Sequence, residues 1–344
     1  SRGLGDVYKR QIIMAVSIED IKKLRAMTGA GLADVKKALT EAEGDFDKAK
    51  ELLRERGLAI AAKRSDRETS NGCVLVKKVN DFAAIIALKC ETDFVANGAD
   101  FIKLTSDILD AAIAAKAHTL DEVKTLKVGD ADAQAAVTQR SGITGEKMEL
   151  DGYCVLEGDN IEVYDHMNKH TLCTMVQLNE NNEEAGHKVA MQVAAMRPVA
   201  LDESSVSEET KKSELEVAVA KTKEELVEKA VNAALKKAGI NPAHVDSEEH
   251  IESNTKKGWL TPEQAEEARN IKKTVGEEKA ATLNPTMIQN IANGRLAKFF
   301  KENCLVDQEF QFGDGDKQTV AQYLASQSKD LKIVAYQRFT LAAE

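Results

Sequence analysis

Apolar residues recur at helical spacing through the N-terminal part of the chain, and this pattern predicts three short helices. Ser17 is placed to cap the first helix, and the glycines that follow Thr28 end it. The second helix is predicted from Leu32 and the third from Asp45, and Gly57 is expected to end the third. Three helices in so short a segment predict a small bundle with a thin core.

The middle of the chain changes to apolar runs that are typical of strands. Two runs, 73–79 and 82–90, flank Asn80-Asp81 and predict a β-hairpin, and a helical pattern over Asp100–Ala115 follows. After a polar passage over 116–150, a second set of strands and a helix recurs. That set comprises strands around Tyr153–Leu156 and Ile161–Tyr164, a longer strand Thr171–Leu178, the helix Glu183–Met196 and a last strand Leu331–Thr340. The predicted fold class is therefore α+β, with two hairpin-plus-helix subdomains.

Lysine and glutamate dominate residues 205–281, where a narrow apolar stripe predicts a long helix and a second helical piece. The second piece is predicted to begin at Thr261-Pro262, because proline is favoured at the first helical position. We interpret this segment as a projecting helical hairpin inserted into one subdomain. Its stripe fits either packing on a partner helix or a solvated helix with local charge pairs.

These patterns divide the chain into a series of predicted domains. Met14 is expected to be the natural start, because residues 1–13 show no clear periodicity and precede a clean helix signal. The predicted boundaries are 1–13 for a non-native or upstream tail, 14–58 for the three-helix domain, 59–70 for a linker, 71–150 for the first core subdomain, 151–204 with 282–344 for the second core subdomain, and 205–281 for the insert.

Composition narrows the class of protein. Of the 344 residues, 43% are hydrophobic, which allows a buried core, and only 4% are aromatic, which favours helices over a β-sandwich. The formal net charge of −10 argues against direct nucleic-acid binding, because phosphate neutralisation supplies most of that affinity. The five cysteines form no C-x-x-C pair and are expected to be buried free thiols. Because no apolar run is long enough to span a bilayer, we expect no membrane partner and a cytoplasmic location.

Motifs that carry catalytic or cofactor chemistry are absent from the sequence. There is no P-loop, and Gly29 and Gly31 lack the preceding strand of a dinucleotide fingerprint. His166 and His170 flank a predicted turn without a zinc-binding frame. No Ser/His/Asp or Cys/His grouping is supported by spacing. The sequence therefore predicts a binding protein with no catalytic residues, no metal and no cofactor, rather than an enzyme.

The connection between the strand that ends at Cys90 and the helix that begins at Asp100 places a carboxylate beside a large aromatic ring, Asp93 and Phe94. Functional side chains concentrate in such surface connections. One interpretation is that the pair reaches into a partner. The other is that Phe94 is the first core residue of the following helix and Asp93 is its cap. The local pattern leaves both interpretations open.

Two motifs carry a resemblance to a known family. The first is Leu24–Leu39 in the predicted three-helix domain, and the second is Glu91–Asn97. Weaker matches are Val189–Pro198, Gly294–Phe299 and the last strand, and all of them occur in the family's order along almost the whole chain. The chain resembles the bacterial elongation factor Ts family, the nucleotide-exchange factors of elongation factor Tu. The resemblance implies a ubiquitin-associated-like fold for the N-terminal helices.

The resemblance also implies where a partner binds. In the family, the loop that matches this chain's second motif enters the GTPase domain of elongation factor Tu, and its aromatic residue displaces side chains near the magnesium site. The partner-binding residues so implied are Thr92, Asp93, Phe94 and Val95 in this loop, Arg25, Leu32 and Ala33 in the N-terminal helices, and His166 in the second core subdomain. Leu32 also fits an ordinary core position of the bundle, and that alternative stays open.

The chain departs from the family pattern in two places that bear on binding. Leu32-Ala33 stands where many relatives carry two methionines, so the contact there is expected to be smaller. The lysine- and glutamate-rich insert is longer than in the enterobacterial form. In that form the matching hairpin helps dimerisation, so a homodimer through the insert stays an open alternative here.

The resemblance implies an exchange factor that binds elongation factor Tu, in its GDP-bound or nucleotide-free state, and promotes GDP release by disturbing the Mg²⁺ and phosphate site. The alternative is a ubiquitin-associated-like adaptor that holds a partner without exchange. Phe94→Ala separates these hypotheses, because an adaptor tolerates the loss of the ring. An enzyme is the third hypothesis, and activity on a small molecule without elongation factor Tu would support it.

Overall fold

Helices and antiparallel strands form a mixed α+β structure, as predicted. The computed structural model describes residues 16–313, 315 and 317–342, so the predicted tail over 1–13 and Met14 lie outside the described residues. By contacts the chain divides into two compact units, of which the second spans Pro198–Glu309. In chain order the elements are α1 Ile18–Thr28, α2 Leu32–Glu41, α3 Phe46–Lys63, β1 Asn71–Val79, β2 Phe82–Cys90, α4 Asp93–Ala96, α5 Ala99–Ala115, α6 Leu120–Thr125, β3 Lys127–Val128, β4 Ala131–Asp132, α7 Ala133–Thr144, β5 Met148–Glu157, β6 Ile161–Asp165, β7 Leu172–Leu178, α8 Glu183–Met196, α9 Glu208–Lys237, α10 Glu248–Lys256, α11 Pro262–Ala281, α12 Pro285–Asn303, α13 Val320–Gln327 and β8 Ile333–Thr340.

The three N-terminal helices are present, and side-chain caps begin two of them. The Ser17 hydroxyl accepts a hydrogen bond from the Asp20 amide, and the Asp45 carboxylate caps α3. Gly29 ends α1 in the left-handed conformation that glycine adopts without steric cost. Leu24, Val35, Ala38, Leu39 and Ala49 are fully buried between the helices. The predicted bundle with a thin core is therefore confirmed for the described residues.

The predicted end of the third helix at Gly57 is wrong, because α3 continues to Lys63. Gly57 lies inside the helix and faces Gly142 of α7 across a helix crossing. A methyl group on Gly142 would overlap the backbone of Gly57, so the two helices approach each other this closely because Gly142 carries no side chain. Gly57 therefore lies where α3 contacts α7 and does not end α3.

β1, β2 and β5 form the first antiparallel sheet, with β2 in the centre. The predicted hairpin is confirmed, because Val79 pairs with Phe82 across a two-residue turn in which Asn80 has a φ of 54°. The strand predicted around residues 153–156 was assigned to the second set, and that assignment is wrong. It is β5, and it pairs along β2. The polar passage before it contains α6, a short β3–β4 hairpin and α7.

Strand β2 is apolar from Phe82 to Leu88 because both of its faces are buried there. Ile86 and Leu88 point to the side that holds α5, where they pack with Phe101. Ile85 points to the opposite side and packs against Met175 of the second sheet. Burying each such side chain contributes about 1.5–3 kcal/mol, so this strand anchors the unit. The position of its C-terminal end, and of the turn that follows, is fixed by that core.

The second sheet has the order β6–β7–β8, and all its strands are antiparallel. The prediction that the last strand completes this sheet is confirmed, because Cys173 pairs with Phe339. Helix α8 covers one face, with Val189 and Val193 fully buried. Each sheet is thus a three-stranded antiparallel layer with a helix packed on one face.

Within the second unit, α9 packs along α11 and α12. The apolar stripe of the long helix is therefore partly covered by helices of the same chain, with Leu235 and Ala268 in the shared core. The predicted start at Thr261-Pro262 is confirmed, because Thr261 forms a capping box ahead of proline at the first turn. Helix α12 was predicted to belong with the second core subdomain, but it packs on α9, where Arg295 pairs with Glu225. No helix in the described ranges is long and apolar enough to cross a membrane.

All five cysteines are free thiols, and four of them are buried. Desolvation raises the pKa of Cys73 and of Cys90 to about 12 and that of Cys304 to about 11. These side chains therefore stay neutral and behave as small apolar core residues. The predicted state of the thiols is confirmed, apart from Cys154, which is only half-buried.

Candidate functional site

The candidate site is the turn between β2 and α5. Thr92 caps the one-turn helix α4, because its hydroxyl accepts a hydrogen bond from the Val95 amide at 3.3 Å. The Asn97 side chain donates to the Asp93 carbonyl at 2.8 Å and ties the end of that turn. Gly98 is the residue that precedes α5. Local hydrogen bonds thus fix the first and last residues of this short turn.

The turn sends its side chains to opposite sides. Ala96 is buried in the first sheet's core and Val95 packs against that core. Asp93 is exposed, and the ring of Phe94 is 87% exposed. The interpretation that Phe94 is a core residue and Asp93 the cap is therefore wrong. Thr92 takes the cap, and this start of the helix rotates the aromatic side chain away from the core.

Two glutamates hold this turn: Glu91, which begins the second motif, and Glu146, which lies outside both motifs. The carboxylate of Glu146, just beyond α7, accepts from the Thr92 hydroxyl at 2.6 Å and from the Thr92 amide at 3.1 Å. In return, the carboxylate of Glu91 accepts from the Lys147 amide at 2.6 Å. We call these four residues, Glu91, Thr92, Glu146 and Lys147, the carboxylate clasp. Carboxylates are so frequent in this acidic chain that sequence alone gave no signal for it.

Glu91 also links the turn to the N-terminal helices. Arg64 at the end of α3 lies 3.3 Å from one carboxylate oxygen, and Arg67 lies 3.1 Å from the other. The hydrogen bond from Lys147, followed by those from the two guanidinium groups, holds the pKa of Glu91 below its usual value. Glu91 is therefore a charged anchor shared by the first sheet and the segment that leaves the N-terminal bundle.

The second candidate region is the turn between β6 and β7, which contains His166. The Tyr164 hydroxyl lies 3.2 Å from His166 Nδ1, and the Tyr164 ring packs edge-on against His187. His170 Nδ1 lies 2.5 Å from the Asp165 carboxylate, which ties the two ends of the turn together. His166 is half-buried, whereas the neighbouring Met167 is 64% exposed.

The structure brings these two turns to one surface cavity of about 310 Å³. Asp93 and Asn97 line it from the first turn, and Lys169 and His170 line it from the second. The amide of Val74 donates to the His170 carbonyl at 2.7 Å, which joins the second turn to the first sheet. Of the predicted site residues, Asp93 lines this cavity, whereas His166 does not.

The predicted residues of the N-terminal helices, Arg25, Leu32 and Ala33, are all exposed. Leu32 is 57% exposed at the start of α2, so the interpretation that it is a bundle core residue is wrong. Met27 at the end of α1 is 54% exposed close by in sequence. These side chains are available to a partner, and the bundle that carries them reaches the turn through Arg64.

This surface offers polar and apolar groups for contact with a partner. Among the described residues, no three His, Cys, Asp or Glu side chains are grouped so that they could hold a metal ion. The two histidines considered for zinc contact different residues, because His170 pairs with Asp165 and His166 pairs with Tyr164. The turn presents a carboxylate, a hydrophobic ring and oriented backbone groups, which can press into a partner and compete for its internal contacts.

Comparison with known proteins identifies relatives along nearly the full chain. A family model described as "Elongation factor TS" matches residues 91–343. The elongation factor Ts of Bacteroides fragilis is 62% identical over 332 residues, which cover 96% of this chain and 100% of that relative. The elongation factor Ts of Parabacteroides distasonis is 60% identical over 331 residues, with the same coverage of both chains. That of Porphyromonas gingivalis is 39% identical over 333 residues, again covering 96% of this chain and 100% of the relative.

Proposed function

Because the chain belongs to the elongation factor Ts family of translation factors, we propose that it is the guanine-nucleotide exchange factor of elongation factor Tu. It binds elongation factor Tu with GDP bound or with the nucleotide site empty, and it promotes the release of GDP. The observation that carries this proposal is the turn Thr92–Val95, which holds a large apolar ring in water on a fixed backbone. The factor acts in the cytoplasm, without a membrane or nucleic acid as direct partner.

The mechanism is mechanical displacement. Asp93 and Phe94 enter the GTPase domain of the partner, with Thr92 and Val95 supporting them, and the ring displaces side chains near the Mg²⁺ and the phosphates. A bound Mg²⁺ bridges nucleotide oxygens to protein, so a shift of its supports weakens ion and nucleotide together. Each 1.4 kcal/mol lost corresponds to about tenfold in affinity. By linkage, the factor weakens GDP binding by the same ratio as GDP weakens binding of the factor.

The exposure of Phe94 is not enough to assign it as the displacing group, because single apolar side chains on a surface are common. What supports it is that Phe94 is exposed on a turn whose backbone is tied at both ends. A flexible loop would have to be ordered on binding, at about 1–2 kcal/mol per residue. A turn that is already ordered leaves that free energy for displacing groups in the partner.

The remaining contacts are proposed from the same family membership. Arg25, Leu32 and Ala33 bind the GTPase domain beside the turn, and the N-terminal helices form a ubiquitin-associated-like domain. His166 contacts a further domain of the partner; it lies on the same turn as His170, which lines the cavity together with Asp93. Exchange needs no bond to be made or broken, so the factor has no catalytic residue and no cofactor of its own. The helices of residues 205–281 form an insert. A homodimer that forms through this insert is a further proposal, and a measurement of the oligomeric state tests it.

The test is release of a fluorescent GDP from purified elongation factor Tu, followed by stopped flow at rising concentrations of this protein. We expect the release rate to rise to a plateau at least about a hundredfold above the spontaneous rate, which corresponds to about 2.7 kcal/mol of destabilisation. Binding measured in parallel separates the alternatives. Tight binding without faster release would favour the adaptor hypothesis and contradict the exchange function.

A further inference from the structure

We propose that Glu146 is a positioning residue for nucleotide exchange. Its carboxylate holds Thr92, and through Thr92 the one-turn helix α4, so that Phe94 points in one direction before a partner arrives. Glu146 lies on the segment that follows α7, more than fifty positions further along the chain, and its carboxylate accepts two hydrogen bonds from Thr92. This role rests on the proposed function, because Glu146 orients the turn that carries Phe94.

The hydrogen bonds at Thr92 explain why a carboxylate is needed. Both the amide and the hydroxyl of Thr92 donate, and the two oxygens of Glu146 accept one bond each, at 3.1 Å and 2.6 Å. The hydroxyl oxygen meanwhile accepts from the Val95 amide at 3.3 Å. One carboxylate therefore fixes the rotamer of the cap residue, and the cap residue fixes the first turn of α4. Charge-assisted bonds of this kind are stronger than neutral ones.

The clasp is reciprocal, which makes it a rigid joint. Glu146 binds the backbone of the strand-to-helix turn, and Glu91 of that turn binds the backbone amide of Lys147. Glu146 is itself tied down, because its carbonyl accepts from the Ser141 hydroxyl at 2.5 Å and Ser141 is buried in α7. The two carboxylates are like charges, and the amides together with the guanidinium groups of Arg64 and Arg67 offset their repulsion.

Position matters here because the ring of Phe94 has little packing of its own to orient it. With its side chain 87% exposed, its direction follows from the backbone of α4. If the turn loosened, molecules already bound through the other contacts would present the ring correctly for only a fraction of the time, and the plateau rate would fall by that fraction. Loss of a hydrogen bond to a charged group corresponds to about a tenfold population change. We therefore expect the maximal exchange rate to depend on Glu146.

The experiment compares Glu146→Ala with Glu122→Ala in the GDP-release assay. Glu122 is a matched control, because its carboxylate also accepts from backbone amides, those of His118 and Thr119, at the start of α6 and away from the turn. We expect Glu146→Ala to lower the plateau rate about tenfold and to change the half-saturating concentration less than about twofold. Glu122→Ala should keep the wild-type plateau. Glu146→Gln, which retains one accepting oxygen, should fall between Ala and wild type.

A second comparison separates positioning from support of the fold. In a Phe94→Ala background, Glu146→Ala should cause little further loss of exchange, because the group that it positions is already gone. A further tenfold loss in that background would overturn the positioning role. If Glu146→Ala does not fold, Thr92→Val decides instead. It removes the hydroxyl arm with little change of shape, and we expect it to slow exchange while Thr92→Ser retains it.

The outcomes also distinguish this inference from the function on which it rests. If the wild-type protein fails to accelerate GDP release, the proposed function is wrong. If the wild type accelerates release, Phe94→Ala does not, and Glu146→Ala keeps the wild-type plateau, then the function stands and the clasp does not position the ring. Faster hydrogen exchange at the amides of residues 92–97 in Glu146→Ala, with α6 unchanged, is the structural result that the inference predicts.

Discussion

Replacing Phe94 by alanine is expected to lower the maximal rate of GDP release about a hundredfold, the size of effect seen when a central aromatic contact of an interface is removed. The variant should fold as well as the wild type, because the ring is 87% exposed and contributes no packing to the core. Stopped-flow release at saturating factor measures the rate, and thermal unfolding measures the fold. Adding Asp93→Ala should lower the rate further without lowering Tm.

Leu58 provides a control for this prediction, because it is a large apolar side chain that is also exposed, at 50%, on a helix outside the proposed contacts. Leu58→Ala should leave the release rate unchanged. If Phe94→Ala and the double variant with Asp93→Ala both exchange nucleotide at the wild-type rate, the displacement mechanism is wrong. A partner held by the N-terminal helices alone would then explain binding.

Replacing Gly142 by alanine is expected to destabilise the first unit by about 1–3 kcal/mol, because the new methyl group would overlap the backbone of Gly57. Helix α3 would have to move away from α7, and the docking of the N-terminal helices would weaken. A fall in Tm of roughly 5 °C follows from that loss for a unit of this size. Limited proteolysis should cut near the end of α3 sooner than in the wild type.

Gly57, which faces Gly142, provides the matched control. A methyl group on Gly57 would lie 3.5 Å from Gly142 Cα, which is an ordinary van der Waals contact. Alanine is also favoured over glycine inside a helix by about 0.5–1 kcal/mol, so Gly57→Ala should keep or raise Tm. Equal stability of the Gly142→Ala and Gly57→Ala variants would show that the crossing does not depend on close approach at this point.

Local chemistry explains the parts of the fold that the sequence predicts well. Ser17 and Thr261 cap their helices because a side-chain oxygen three residues from an amide can satisfy it without help from the rest of the chain. Asn80 and Asp81 close a hairpin because a two-residue turn needs a left-handed residue, and asparagine tolerates that conformation. Each of these signals depends on fewer than about six neighbouring residues, so it can be predicted from the sequence of a single protein.

Features that depend on distant residues could not be predicted in the same way. Met148–Glu157 joins the first sheet because it completes the burial of β2, which lies far away in sequence. Gly57 resembles a helix end until its contact with Gly142 is known. Phe94 fits either side of α4, since moving the helix start by one residue rotates each side chain by about 100°. The choice between these starts depends on Thr92 and its distant partner Glu146.

The exposed turn is proposed to disturb the Mg²⁺ and phosphate site of elongation factor Tu. The most direct measurement is GDP release with and without the wild-type protein, first in Mg²⁺ and then with Mg²⁺ chelated. We expect a large acceleration in Mg²⁺ and an acceleration at least about tenfold smaller after chelation, because part of what the factor removes is then already gone. An acceleration that is equal in both conditions would contradict the claim, as would no acceleration in Mg²⁺.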